Sequence, residues 1–250
     1  MEYDTNLSIF DKSLKRFRFF IDLQRYLIHF YIKKHFLWLL KKNNFHLFSH
    51  FPKMKKITAI ATICLFLATM IQAQEPKMKK IFNGKNLKGW KVPENNVWWT
   101  ASKGVLHVKS TAEKKGSILW TEKTYTNFVL QADFLMGDGT VDSGFFLRSE
   151  DDQVQIGISG SLKRDMTGSP YIPKLRYPVE AKGVKDILKP KDWNTMKIKL
   201  VDKTYTVWLN NIEVMSYTSE KIPASGPIGI QLHPGNEMSI SYKNIRLATL

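Results

Sequence analysis

The sequence has almost no cysteine, and its first part has no glycine. Cys64 is the only cysteine among 250 residues, so an intramolecular disulfide is excluded and stability must come from a hydrophobic core. All 14 glycines lie after residue 73, which separates the chain into two parts of different composition. Helical periodicity is nearly absent after residue 80, which excludes a helical bundle for that part.

Residues 54–73 have the three parts of a secretory signal. Lys55 and Lys56 precede an apolar run of about 15 residues, and the segment ends at the small residue Ala73. The run is shorter than the roughly 20 apolar residues of a comfortable membrane span. We therefore predict cleavage near Ala73, a periplasmic or extracellular location, and no stable membrane span in the mature protein.

Residues 1–53 are basic, aromatic and rich in leucine, and they precede a signal that has its own Met54-Lys-Lys start. Because a signal belongs at an N-terminus, we interpret residues 1–53 as an over-extension of the reading frame. The alternative is a basic amphipathic segment that favours a membrane surface. In both interpretations this segment lies outside the folded domain, and residues 74–80 form a linker.

The formal net charge of +16 is shared unevenly along the chain. Residues 74–250 have 26 basic and 18 acidic side chains, a net charge of +8. Their lysines mostly alternate with apolar residues, as in Met-Lys-Ile-Lys-Leu at 196–200, which is typical of a solvated strand face. The sequence has no nucleic-acid-binding motif, so we predict no nucleic-acid partner.

Short runs of alternating apolar and polar residues dominate after residue 80. The clearest runs are 128–135, 153–158, 196–200, 205–209 and 228–233. Asn210-Asn211 separates two runs as a tight hairpin turn does. Period-two runs bounded by Gly, Pro and Asn predict an all-β domain at residues 81–250, an antiparallel β-sandwich of about ten to twelve strands.

Alternation also predicts which side chains lie together on the outer surface of the sandwich. Where the apolar residues of three runs face the core, their outward residues are Phe146 and Arg148, Gln153 and Gln155, and Gln231 and His233. The long irregular segment 159–192 adds charged and hydroxyl groups, and a loop of this length is usually functional. If the three strands are neighbours, the sequence predicts a polar groove that binds the hydroxyl groups of sugars.

Several motifs in residues 80–250 resemble the DUF1080 family. In chain order they are Ile81–Trp90, Asp142-Ser-Gly-Phe-Phe-Leu-Arg148, Val154-Gln-Ile156, Thr167-Gly-Ser-Pro-Tyr171, Trp193-Asn194, Gly229-Ile-Gln-Leu-His233 and Asn244-Ile245. The resemblance implies a concanavalin-like jelly roll that acts as a 3-keto-disaccharide hydrolase, 3-keto-glucoside 1,2-lyase or 3-keto-2-hydroxy-glucal hydratase. The chain departs from the family pattern at Asp142, where Asn is usual, and at Gln153, where Glu is usual.

The reaction that the resemblance implies needs one base and one electrophile. A ketone at C3 acidifies the hydrogen at C2, so a base can remove it and the enolate can expel the group on C1. We predict that His233 is the base, because its ordinary pKa lies near neutrality. Arg148 is predicted to hold a substrate oxygen, and Asp142 and Asp165 are further acid or base candidates. The alternatives are a surface histidine, an ion-paired arginine, and carboxylates that cap turns or form ion pairs.

Eight further assignments concern binding of a saccharide substrate. They are Gln153, Gln155, Lys163, Arg164, Tyr171, Gln231, Trp98 and Phe146. No spacing is as specific as His-x-x-x-His, so we predict no metal ligand and no certain cofactor, although a divalent cation is compatible with enolate chemistry. The alternative function is a non-catalytic carbohydrate-binding sandwich, which the replacement of the usual glutamate by Gln153 favours.

Overall fold

The computed structural model describes residues 76–250. Within this range there are fourteen strands and one short helix, α1 (Val184–Ile187). The strands are β1 (Lys79–Lys80), β2 (Trp90–Lys91), β3 (Trp99–Ser102), β4 (Val105–Lys109), β5 (Ser117–Thr121), β6 (Phe128–Gly139), β7 (Asp142–Leu147), β8 (Gln153–Gly157), β9 (Pro170–Tyr171), β10 (Asn194–Val201), β11 (Thr204–Leu209), β12 (Ile212–Thr218), β13 (Ile228–Leu232) and β14 (Met238–Thr249).

The predicted all-β class is confirmed, with more strands than the expected ten to twelve. The additional strands are explained by β1, β2 and β9, which have only two residues each and are too short to show alternation. Across residues 76–250 there is no helix with the length and apolar character that crossing a membrane requires.

Two antiparallel sheets pack face to face. One has the order β12-β11-β10-β6-β14-β4-β3, with β1 paired to β14, and the other has the order β2-β5-β13-β7-β8-β9. The turn between β11 and β12 consists of Asn210 and Asn211, whose φ angles of 50° and 71° are left-handed. Asparagine tolerates this conformation, and two left-handed residues match the twist of a hairpin, so the predicted turn is confirmed.

The core lies between the sheets and contains the apolar half of each alternating run. On β10, Met196, Ile198 and Leu200 are buried whereas Lys199 is exposed. The largest fully buried rings are Trp99, Tyr205, Tyr242, Phe128, Phe134 and Phe145. Full burial of one such side chain contributes about 1.5–3 kcal/mol, which gives the sandwich its stability without a disulfide.

A buried hydrogen-bonded chain connects the two sheets. The Ser143 hydroxyl of β7 donates to the Gln231 carbonyl of β13 at 2.5 Å. The Tyr242 hydroxyl of β14 lies 2.8 Å from the same Ser143 oxygen, and it must be the donor because the Ser143 hydrogen is already used. The Tyr242 ring also meets Phe145 edge to face, 5.6 Å between centroids. These contacts fix β7 and β13 against the opposite sheet.

The first sheet includes part of the predicted linker. Lys79 and Lys80 pair with Leu247 and Arg246 of β14, so the sheet begins two residues before the expected domain start at residue 81. The interpretations of residues 1–53 and of the signal at residues 54–73 lie outside the described residues.

Tyr242→Phe should weaken the connection between the sheets while keeping the ring contact with Phe145. A buried hydrogen bond contributes about 0.5–1.5 kcal/mol, so we expect the free energy of unfolding to fall by about 1 kcal/mol in urea denaturation. Tyr217→Phe makes the same change on a half-buried ring and should change stability by less than about 0.5 kcal/mol. Equal losses in the two variants would contradict this prediction.

Candidate functional site

A polar cleft of about 540 Å³ opens on the outer face of the six-stranded sheet. Strands β7, β8 and β13 form its floor, and residues from segments 159–177 and 233–236 form its rim. The predicted site residues that line it are Asp142, Phe146, Gln153, Gln155, Lys163, Tyr171, Gln231 and His233. The cleft therefore brings together side chains from the three strands that alternation grouped.

Strand register explains this convergence. Gln231 of β13 lies opposite Gly144 of β7, and Gly144 lies opposite Gln155 of β8. One step along the same face, Phe146 lies opposite Gln153. Directly paired residues project from the same face of a sheet, so these positions form a continuous outer surface.

Gly144 leaves room for a pair of amides on the cleft floor. A Cβ atom at this position would lie 2.4 Å from the Val154 carbonyl oxygen and 2.5 Å from Gln153 Nε2. Without that atom, Gln153 extends across β7 and its Nε2 donates to Gln231 Oε1 at 2.6 Å. The pair leaves the oxygen of Gln153 and the N–H groups of Gln231 for ligand hydroxyls.

Asp142 and His233 form a pair at one end of the cleft. Asp142 Oδ1 accepts from Gln155 Nε2 at 2.8 Å, whereas its Oδ2 is buried with no hydrogen-bond partner among the described residues. That free oxygen lies 3.6 Å from His233 Nδ1, and the side chains of His233 and Asp142 are 39% and 4% exposed. A buried carboxylate therefore lies behind an imidazole that reaches solvent.

The tautomer of His233 follows from its other contact. Nδ1 lies 2.7 Å from the Pro234 carbonyl oxygen, and a carbonyl can only accept a hydrogen bond. Nδ1 therefore bears the hydrogen in the neutral ring, and Nε2 is the nitrogen with a free lone pair. This arrangement suits a general base that acts through Nε2.

Tyr177 lines the cleft, although no pattern in the sequence identifies it. Its ring centroid lies 5.3 Å from that of Tyr171. Burial raises the pKa of Tyr177 to about 12, and a hydrogen bond with the Ser159 side chain opposes this shift. The phenol therefore keeps its proton at neutral pH and remains a hydrogen-bond donor.

The other lining residues that sequence reasoning missed come mostly from loops. They are Glu150, Ser159, Gly160, Ser161, Pro234, Gly235 and Asn236. The unusual length of segment 159–192 indicated a functional loop, but periodicity does not predict which residues of a loop turn inward.

Arg148 does not reach the cleft, which corrects the expectation that it shares the outer face with Phe146. Its φ of 65° breaks the alternation at the end of β7, and its side chain turns inward. The guanidinium donates to the carbonyl oxygens of Asp202 at 2.7 Å and Pro223 at 2.8 Å, and also to that of Thr126. Burial lowers the pKa of Arg148, and its contacts join three loop segments.

Three more predicted residues lie outside the cleft lining. Asp165 accepts from the Thr167 backbone N–H at 2.9 Å, and burial raises the pKa of this carboxyl. Exposed Arg164 pairs with Glu180 through Nη1 and Nη2 of its guanidinium. Trp98 is half-buried and packs against the core. Each makes a local contact outside the cleft lining, so the cleft geometry does not support the substrate contact predicted for it.

The arrangement offers acid–base and hydrogen-bonding chemistry from its own side chains. An imidazole, a buried carboxylate, a protonated phenol, the Lys163 ammonium and four amides surround one space. Within residues 76–250, no three His, Cys, Asp or Glu side chains are grouped closely enough to hold a metal ion. We therefore assign no metal ligand.

Residues 77–248 match the family described as the 3-keto-alpha-glucoside-1,2-lyase-like domain. This match spans more than half of the chain, so the protein belongs to that family. The resemblance of the sequence motifs to the DUF1080 family is thereby confirmed. A comparison with curated proteins found no match.

Solved structures share this fold. A candidate glycosyl hydrolase from Parabacteroides distasonis is 24% identical, with a TM-score of 0.55 over 70% of this chain and 100% of that one. A second from the same organism is 19% identical, with a TM-score of 0.53 over 69% of this chain and 94% of that one. At these identities the similarity shows the concanavalin-like sandwich alone.

Arg148→Met should destabilise the protein without altering the cleft. The change leaves the carbonyl oxygens of Thr126, Asp202 and Pro223 without this donor, and an unsatisfied buried group costs about 1–3 kcal/mol. We expect a loss of about 3 kcal/mol in chemical denaturation. Arg164→Met, which removes only an exposed ion pair, should cost less than about 1 kcal/mol. Unchanged stability with lost ligand binding would instead place Arg148 in the site.

Proposed function

We propose that this protein cleaves 3-keto-glycosides by base-assisted elimination followed by hydration, which together amount to hydrolysis. The observation that supports this most directly is the Asp142–His233 pair at the end of a polar cleft of about 540 Å³. Membership of the 3-keto-alpha-glucoside-1,2-lyase-like family supports the substrate class. The predicted signal at residues 54–73 would place this activity in the periplasm or outside the cell.

In the first step His233 removes the hydrogen at C2. Its Nε2 accepts the proton, because Nδ1 already donates towards Pro234. The ring then becomes positively charged, and the carboxylate of Asp142, 3.6 Å from Nδ1, stabilises that charge in a largely buried position. Asp142 is held for this role by the hydrogen bond from Gln155.

In the second step the C1–O bond breaks. Until then the electron pair of the former C2–H bond forms the enolate, whose negative charge lies on the C3 oxygen, and preorganised donors stabilise such charge. The Tyr177 phenol and the Lys163 ammonium are two donors that line the cleft and suit this role. When the C3 carbonyl re-forms, that electron pair becomes a C1=C2 double bond. The electrons of the C1–O bond then leave with the oxygen, which takes up the proton that His233 removed from C2. Addition of water then returns hydrogen to C2 and hydroxyl to C1.

The remaining cleft residues bind the sugar. The Gln153–Gln231 pair has free donors and acceptors for hydroxyl groups. The rings of Phe146 and Tyr171 provide apolar surface for the C–H faces of a pyranose. This division leaves His233 and Tyr177 for the reacting carbons and oxygens.

His233→Ala should abolish most of the activity on a 3-keto-disaccharide. General-base catalysis contributes about 10²–10⁴-fold, so kcat/KM should fall by at least about 100-fold when keto-sugar products are quantified by mass spectrometry. His107→Ala is the control, because His107 is exposed on β4 of the other sheet. If the wild-type protein forms no more product than His233→Ala, the proposed function is wrong.

Tyr177→Phe should lower kcat by a factor that does not depend on pH. Because the pKa of Tyr177 is raised to about 12, the wild-type phenol stays protonated from about pH 6.5 to about pH 9.5. Removal of one such donor costs about 10²–10³-fold in well-studied enzymes, and we expect a loss of at least about tenfold. Tyr217→Phe is the control. A loss that shrinks towards the alkaline limit would show that the phenol titrates in this range.

A second candidate function is saccharide binding without catalysis. It is favoured by Gln153, an amide at a position where the family usually has a carboxylate, and by its direct bond to Gln231. Calorimetric saccharide affinity that His233→Ala leaves unchanged, together with the absence of product from the wild-type protein, would support this function over the enzyme.

A further inference from the structure

A second groove of about 390 Å³ lies beside the cleft on the same face of the six-stranded sheet. We call it the β5 groove, and its lining residues are Gly116, Ser117, Ile118, Trp120, Gln231, Leu232 and Pro234. Gln231 and Pro234 line both the groove and the cleft. The two spaces are therefore neighbours that meet at the Gln231 side chain.

The indole of Trp120 lies flat in this groove because residue 229 has no side chain. A Cβ atom at Gly229, which lies opposite Trp120 across the ladder, would be only 2.7 Å and 2.8 Å from Cζ3 and Cε3 of the ring. The ring stacks on Phe146 with 5.6 Å between centroids and 28° between planes. Since Phe146 lines the cleft, an aromatic surface runs from the groove to the cleft.

The chemistry of the groove differs from that of the cleft. The described residues that line it include no charged side chain, whereas Asp142, Lys163 and His233 line the cleft. Its one hydroxyl, that of Ser117, already accepts a hydrogen bond from Trp99 Nε1 at 2.8 Å. A half-buried flat ring with few polar neighbours suits another flat, largely apolar ring better than a second sugar rich in hydroxyls.

We propose that the β5 groove binds the leaving group of the substrate, and that this group is an aromatic aglycone stacked on Trp120. The inference rests on the proposed function, in which the 3-keto sugar occupies the cleft. Gln231 lies at the junction, where the bond to be broken would lie. Its Oε1 accepts from Gln153, so its N–H groups can donate to the glycosidic oxygen as that oxygen departs with the bonding electrons.

The test compares two ligands that differ only in the aglycone. Isothermal titration calorimetry measures the Kd of methyl and phenyl 3-keto-α-glucoside for His233→Ala protein, which prevents turnover. Stacking on one aromatic ring is worth about a factor of ten or less in affinity, so we expect the phenyl glycoside to bind up to about tenfold more tightly. Adding Trp120→Leu should reduce this preference to less than about twofold and leave the methyl glycoside unaffected.

Two further variants control for folding and for general loss of aromatic surface. Trp120→Phe keeps an aromatic face and should retain part of the preference. Trp208→Leu removes a half-buried tryptophan of β11 in the other sheet and should retain all of it. A phenyl preference that survives Trp120→Leu, or that is absent from the start, would overturn the inference. So would a Trp120-dependent preference for a 3-keto-disaccharide over the phenyl glycoside.

Failure of this inference can be distinguished from failure of the proposed function. If the wild-type protein releases keto-sugar products but shows no Trp120-dependent preference, the function stands and the aromatic subsite is wrong. If it forms no product but phenyl binding depends on Trp120, the β5 groove is an aromatic-binding site and the proposed function is wrong.

Discussion

Two glycines determine what the outer face of the six-stranded sheet can hold. Gly144 of β7 and Gly229 of β13 are sites where a Cβ atom would overlap a neighbouring side chain. The space at Gly144 lets Gln153 reach Gln231, and the space at Gly229 lets Trp120 lie flat beside Phe146. A polar floor and an aromatic surface therefore lie side by side on a sheet whose other face belongs to the core.

The inner face of the same strands connects this surface to the opposite sheet. Ser143 alternates with Asp142 and Gly144 on β7, so its hydroxyl points inward and connects the Gln231 carbonyl to Tyr242 of the opposite sheet. The backbone of Gln231 is thus held by a hydrogen bond on the core side of the sheet, while its side chain lines the cleft. Groups that are held in place in this way do not have to reorient when they stabilise a charge.

Burial differs sharply between the two members of the Asp142–His233 pair. Asp142 is almost fully buried and held by Gln155, whereas His233 reaches solvent. Arg148, also buried, lies outside the cleft and donates to the carbonyl oxygens of loop residues Asp202 and Pro223. Asp142 and Arg148 are thus both buried, and their contacts distinguish them: Asp142 lies beside the candidate base, whereas Arg148 joins loops.

The sequence by itself determined the fold class and which side chains of a strand face the core. The reason is that successive side chains of a strand point to opposite faces, which is a local property of the backbone. The sequence placed Phe146, Gln153, Gln155, Gln231 and His233 outward, and they do line one cleft. Only the tertiary structure decided which strands became neighbours. That strand order produces the contacts of Asp142 with His233 and of Trp120 with Phe146. The tertiary structure also decided that the left-handed backbone at Arg148 turns that side chain inward and that Tyr177 reaches the cleft. Such contacts depend on strand order and loop path, which join residues far apart in the chain and leave no local period in the sequence.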